Sequence, residues 1–146
     1  MKLSTKSRYG LRAMIYLAAK AGNGSVQLND IAASENISEK YLEQIIPYLK
    51  TAKLITAKRG MTGGYEIAMP AEKITLRMII DALEGGFELS ECYTNKYCAR
   101  KNTCAALEIW NELGDMITNY FDSVTLARAA AIYHEKNNTA GNMYHI

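Results

Sequence analysis

The stretch ISEKYLEQIIPYLKTAKLITAKRGMTGGYEI, residues 37–67, changes its hydrophobic period halfway along. Leu42, Ile45, Ile46 and Leu49 recur at helical spacing and Ser38 stands where a cap belongs, so the first half predicts a helix. Pro47 lies inside that pattern and predicts a kink or break near Ile46. In the second half, residues 54–59 and 65–68 are short extended segments joined by Gly60-Met61-Thr62-Gly63-Gly64, which reads as a β-hairpin with a glycine-rich tip.

The chain on either side completes the pattern. Upstream, Leu11, Met14, Ile15 and Ala18 mark an amphipathic helix over residues 4–20, ended by Gly22-Asn23-Gly24. Leu28, Ile31 and Ala32 mark a short second helix behind a weak cap, Gln27, and Glu35-Asn36-Ile37 forms a turn. Helix, short helix, turn, helix and glycine-tipped hairpin, in that order, make a winged helix-turn-helix. Downstream, Thr75 caps a helix over residues 76–83 that Gly85-Gly86 stops. A polar, cysteine-bearing loop follows, and then a long helix over residues 105–120. A last helix starts at Asp122-Ser123 or at Thr125 and runs to about His134, leaving EKNNTAGNMYHI as a loose tail.

The expected architecture is mainly α: a winged helix-turn-helix with a long C-terminal dimerisation helix. Residues 1–85 form the DNA-binding domain, 86–104 the cysteine loop, 105–135 the dimerisation and C-terminal helices, and 136–146 a flexible tail.

Charge is uneven along the chain. Residues 1–59 hold ten Lys/Arg against four Asp/Glu, a balance of +6, while residues 60–146 hold seven against eleven, −4. A basic half joined to an acidic one points to a polyanion-binding part and a part with another task. The longest strictly apolar run, residues 13–19, is too short to span a bilayer, and no basic-then-apolar leader opens the chain. A reducing cytoplasm, where free thiols persist, is the expected compartment.

In a winged helix-turn-helix the second helix of the pair enters the major groove. Its exposed N-terminal residues here are Ser38, Glu39, Lys40, Tyr41, Glu43 and Gln44. Gln pairs bidentately with adenine and Glu accepts from a cytosine amine, whereas Lys40 and Tyr41 suit phosphates. Arg59 at the base of the wing, beside Gly60, Gly63 and Gly64, suits a narrow minor groove. Lys2, Lys6 and Arg8 are candidates for flanking phosphates. One such unit reads a half-site, so a palindromic operator calls for a homodimer. Ile109, Trp110, Leu113, Met116, Ile117 and Tyr120 share one broad face of the long helix, too apolar to leave in water, and supply the expected contact.

Cys92, Cys98 and Cys104, with five residues between neighbours, are the only cysteines. Three thiols cannot all pair within one chain, so a disulfide framework explains them poorly. Thiolates around a metal centre, with Lys96, Arg100 and Lys101 offsetting charge, explain them better. Zinc is the main competitor, but structural zinc sites bring cysteines in close pairs, and none occurs here. Spare thiols are the remaining alternative.

MKLSTKSRYGLRAM, ISEKYLEQIIPYLKTAKLI, RGMTGGY, ITLRMIIDALEG and the cysteine spacing together resemble the Rrf-two family of winged-helix regulators. The resemblance covers nearly the whole chain. It implies a homodimeric transcription factor whose three cysteines hold an iron–sulfur cluster. In IscR-type members a histidine three residues after the third cysteine completes the site, and Leu107 stands there in this chain. In NsrR-type members an aspartate near the partner's N-terminus does so, and Arg8 stands there. Glu108, four residues after Cys104, is the candidate fourth ligand, with His134, His145, the partner chain or water behind it. An incomplete ligand set implies a labile cluster, [4Fe–4S] rather than [2Fe–2S].

Two rivals remain open. One is a cluster-free cysteine-metabolism repressor of the same family, controlled by a partner protein or thiol oxidation. The other is an iron–sulfur electron-transfer protein, which leaves the wing and Arg59 unexplained. An enzyme, a membrane protein or a binder of small-molecule substrates has little support: both histidines lie near the C-terminus, and GMTGG sits between two strands rather than before a helix.

Overall fold

A computed structural model of the chain describes residues 2–94 and 97–143. The elements in chain order are α1 (Thr5–Ala19), α2 (Leu28–Glu35), α3 (Glu39–Thr51), β1 (Ile55–Lys58), β2 (Gly64–Ile67), α4 (Leu76–Glu84), α5 (Glu91–Thr94), α6 (Ala105–Ser123) and α7 (Leu126–Met143). The sequence cues account for most of these bounds. Ser4, Ser38 and Thr75 cap α1, α3 and α4, each side chain accepting an N–H from the third residue on. Gln27 opens α2 with no side-chain cap, and Asn36 ends it in the left-handed conformation. Gly85, with φ of +81°, ends α4 in the same way.

β1 and β2 pair antiparallel with Ile55 opposite Ile67 and Lys58 opposite Gly64. Val26, ahead of α2, exchanges two backbone bonds with Tyr65 (2.9 and 2.8 Å), so the wing is laced to the loop between α1 and α2. That lacing needs Gly64, because a Cβ there would run into the Val26 carbonyl. At Gly63 a Cβ would sit 2.6 Å from the Lys58 carbonyl oxygen. These two glycines shape the wing whatever it touches.

The core gathers Met14 and Leu17 of α1, Ile31, Leu42, Ile45 and Leu49 of the reading pair, Leu54 and Ile55 at the wing, Ile74, and Ile79 and Leu83 of α4. Leu126 of α7 completes it. Gly10 lets α1 and α4 meet closely, since a Cβ there would collide with the Leu83 side chain. Around the start of α1, the Glu84 carboxylate accepts from the Ser4 N–H (3.1 Å), the Ser4 hydroxyl (2.6 Å) and the buried Ser7 hydroxyl. The Ser4 and Ser7 hydrogen bonds hold its pKa below the ordinary value.

Three expectations need correction. Pro47 does not break α3, which runs through it from Glu39 to Thr51. Pro47 is exposed, so water can serve the carbonyl that its missing N–H leaves without a helical partner. The tail expected to be loose from residue 136 is helical to Met143. Asn137 and Thr139 there donate to the carbonyls of Tyr133 and Glu135, 2.8 and 2.9 Å away. Residues 144–146, including His145, lie outside the described residues. Finally, the division at residue 85 is not a division in space. α7 packs along α1, Tyr16 and Tyr133 meet edge to face at 6.2 Å, and Leu126 N–H donates to the Ile74 carbonyl at 2.7 Å.

Candidate nucleic-acid interface and cysteine segment

The sequence-predicted reading residues form one surface on α3. Ser38, Glu39, Lys40, Glu43 and Gln44 are all exposed. Tyr41 is half-buried, its ring held edge to face against Tyr9 at 5.6 Å. Lys6 reaches this surface from α1. Its ammonium lies 4.1 Å from the Tyr48 ring centre, and with Tyr41, Gln44 and Tyr48 it lines a groove of about 420 Å³. Lys2 and Arg8 are exposed, and Arg8 donates to Thr5 Oγ1 at 3.0 Å. Arg12, one turn on, is committed to α2 through Glu35 at 3.2 Å.

The wing stands beside α3, for Tyr65 of β2 shares a groove of about 330 Å³ with Glu43 and Lys50. Arg59 is exposed at the end of β1 and Met61 at the tip is fully so. Ser25 Oγ holds the tip by donating to the Thr62 carbonyl at 2.6 Å. Gly60, with φ of +108° and open space where a Cβ would lie, allows close approach of another molecule. Lys6 of α1 and Tyr65 of the wing thus each border a groove on α3.

The cysteine segment is less open than a loop. Ser90 precedes the short helix α5, which carries Cys92 and Tyr93. Tyr93 lies on Gly114 of α6, where a Cβ would come within 2.6 Å of the ring, and its hydroxyl donates to Asp115 at 3.0 Å. Further along α6, Phe87 meets Phe121 edge to face at 5.2 Å. Arg77 of α4 holds the far end through Asp122 at 3.0 Å, a pairing that raises the Arg77 pKa. Sequence reading missed Tyr93, Asp115 and Arg77; an isolated glycine inside a long helical pattern, Gly114, was the available signal.

Cys92 and Cys98 are exposed, Cys104 is half-buried, and all three are free thiols. Cys104 caps the N-terminus of α6 without a side-chain hydrogen bond, and Glu108 is exposed within the first turn. Arg100 and Lys101 are exposed beside them, while Lys96 lies outside the described residues. The donor set therefore fits an iron–sulfur cluster in kind, with three thiolates, one carboxylate and nearby cations. It does not fit yet in arrangement: among the described residues no three His, Cys, Asp or Glu side chains converge. His134 stands apart on α7, its ring 6.0 Å from that of Tyr133.

The apolar face of α6 points outward. Ile109, Leu113, Met116 and Tyr120 are exposed, Trp110 is 41% exposed, and Ile117 is half-buried. No helix among the described residues is long and apolar enough to cross a membrane.

The sequence matches the Rrf2 model, described as an iron-dependent transcriptional regulator, over residues 3–131. It is 39% identical over 131 residues to the HTH-type transcriptional regulator CymR of Bacillus subtilis, covering 90% of this chain and 91% of that one. The structure of that protein, the global cysteine regulator of B. subtilis, superposes with a TM-score of 0.77 at 37% identity, over 90% of this chain and 98% of the other. IscR of T. potens gives a TM-score of 0.76 at 34% identity over 93% and 90% of the two chains. An oxidised form of Staphylococcus aureus CymR gives 0.72 at 38% over 89% and 96%. With its winged helix-turn-helix and long C-terminal helices, the chain belongs to the Rrf2 family of transcriptional regulators.

Proposed function

We propose that this chain acts as a cytoplasmic homodimer whose affinity for a palindromic operator answers to the state of Cys92, Cys98 and Cys104. One observation carries the reading. The short helix bearing Cys92 is packed on α6, Cys104 opens α6, and α6 presents an uncovered apolar face while being tied to α4 of the DNA-reading body. Pairing α6 with its copy would bury that face and set the spacing of two reading helices. Ser38, Glu39, Glu43 and Gln44 would face base edges, Arg59 the minor groove, and Lys2, Lys6, Arg8, Lys40 and Tyr41 phosphates.

Cys92, Cys98 and Cys104, with Glu108 as fourth ligand, would hold an iron–sulfur cluster, [4Fe–4S] rather than [2Fe–2S]. Bound there, it would supply an iron centre sensitive to iron supply, oxygen or nitric oxide. The exposed Arg100 and Lys101 would offset part of the negative charge of such a cluster. A coupling of about 1–3 kcal/mol between thiol state and reading heads suffices for regulation.

The uncollected thiols, with Leu107 and Arg8 at the two ligand positions of other members, favour a second reading. In it the same regulator works without a cluster, through thiol oxidation or a partner protein. Anaerobic purification with an absorption spectrum and iron and sulfide analysis separates the two. A brown protein with matched iron and sulfide supports the cluster, and a protein colourless even after reconstitution selects the second reading. In either case Arg59→Ala should weaken operator binding about tenfold, a loss within the range for a specific contact, and leave the spectrum unchanged.

A further inference from the structure

We infer that Tyr93 is a positioning residue that makes the cysteine segment and α6 move as one piece. The inference rests on the reading that thiol state controls this regulator, and names the side chain through which the thiols act. Of the 19 residues of α6 only Gly114 is buried, and what covers it is the Tyr93 ring. The hydroxyl on Asp115 fixes the ring along the helix at 3.0 Å. The Tyr93 N–H donates to Ser90, both to its carbonyl (3.1 Å) and to its hydroxyl (3.3 Å), which fixes the backbone that carries the ring.

Cys92 is the adjacent residue, with its Cα about 3.8 Å from that of Tyr93 across one peptide bond. The two share the short helix α5, so a change at Cys92 that shifts this backbone carries the Tyr93 ring with it over α6. Gly114 also lies one turn from Trp110, with which it shares a side of the helix, so displacement of the ring reaches the edge of the exposed apolar face. Phe87 on Phe121 and Arg77 on Asp122 hold the other end of α6, while Tyr93, next to Cys92, sits at its middle.

The test is a double-mutant cycle that needs neither iron nor DNA. Full-length protein carrying Cys98→Ser and Cys104→Ser, reduced and metal-free, is alkylated at Cys92 with N-ethylmaleimide. Amide hydrogen exchange is then followed over residues 109–117. With Tyr93 in place, alkylation should speed exchange there about tenfold. In Tyr93→Ala the same exchange should be fast before alkylation and gain nothing from it. Tyr93→Phe, which keeps the ring, should restore most of the response, a rescue that a general loosening of the fold would not give. Exchange in α1 and α3 should not change in any of these proteins. Alkylation without effect when Tyr93 is present, or with equal effect in Tyr93→Ala, would overturn the inference. Iron uptake by the chain with all three cysteines, measured in parallel, decides the cluster reading separately, since the brace can hold or fail whichever way that result falls.

Discussion

α3 and α6 are both long amphipathic helices, and they use their apolar stripes in opposite ways. α3 buries four of its 13 residues, Leu42, Ile45, Ile46 and Leu49, inside the protomer and offers its polar side to solvent. α6 buries one of 19, Gly114, and leaves Ile109, Leu113, Met116 and Tyr120 in water. The pattern of apolar residues therefore says that a face will be covered without saying by what. For α3 the covering is the chain's own core, and for α6 the protomer supplies none over Ile109, Leu113, Met116 and Tyr120.

The contrast is open to attack at each helix. Ile45→Ala, the heaviest blow, should cost about 2–5 kcal/mol in urea denaturation, the usual range for truncating a fully buried branched side chain. Domains of this kind hold about 5–15 kcal/mol in all. A cost below about 1 kcal/mol would make α3 no more internal than α6. Leu113→Glu should do the reverse, leaving the helical circular dichroism of the protomer intact while sedimentation shifts from dimer to monomer. A dimer that survives would move the contact elsewhere, and an unfolded product would place α6 in the protomer core after all.

A smaller effect separates the α1–α4 junction from both helices. The Glu84 carboxylate has its pKa lowered by Ser4 and Ser7, so its contribution to stability is full above the unfolded value of about 4.5. That contribution is lost as pH falls through the lower folded value. Glu84→Gln should flatten the acid limb of the stability curve measured by denaturation and leave stability at neutral pH only slightly reduced. An unchanged acid limb would show that the carboxylate is not held by the two serines in solution.

The DNA-reading half was legible in the sequence because its determinants are local. Ser38 and Thr75 cap the helices they precede, Gly85 ends α4, and the glycine run between residues 60 and 64 turns the wing. Pro47 does not bring the break that its position allowed, because its effect depends on which side of the helix faces water, a fact that only packing supplies. The tail misled because Asn137 and Thr139, poor helix formers by composition, bond back to the preceding turn. The cysteine segment was legible in chemistry and not in shape. Spacing marks the thiols as a set, but the seat of Tyr93 on Gly114 joins residues far apart in the chain. The surroundings of Cys98 and Cys104 depend on how residues 95–104 run, which no periodic pattern describes.

The return of the chain at Thr125 gives the molecule a frame with a replaceable insert. Leu76 N–H donates to the Val124 carbonyl at 2.8 Å and Leu126 N–H to the Ile74 carbonyl at 2.7 Å, so the chain leaves the body at one end of α4 and re-enters beside the other. The two gates stand apart by the length of a nine-residue helix, about 13 Å. Among the described residues, the hydrophobic core takes nothing from the chain between Leu83 and Leu126. Residues 86–123 can thus lengthen, lose thiols or acquire other ligands under selection without disturbing a core contact.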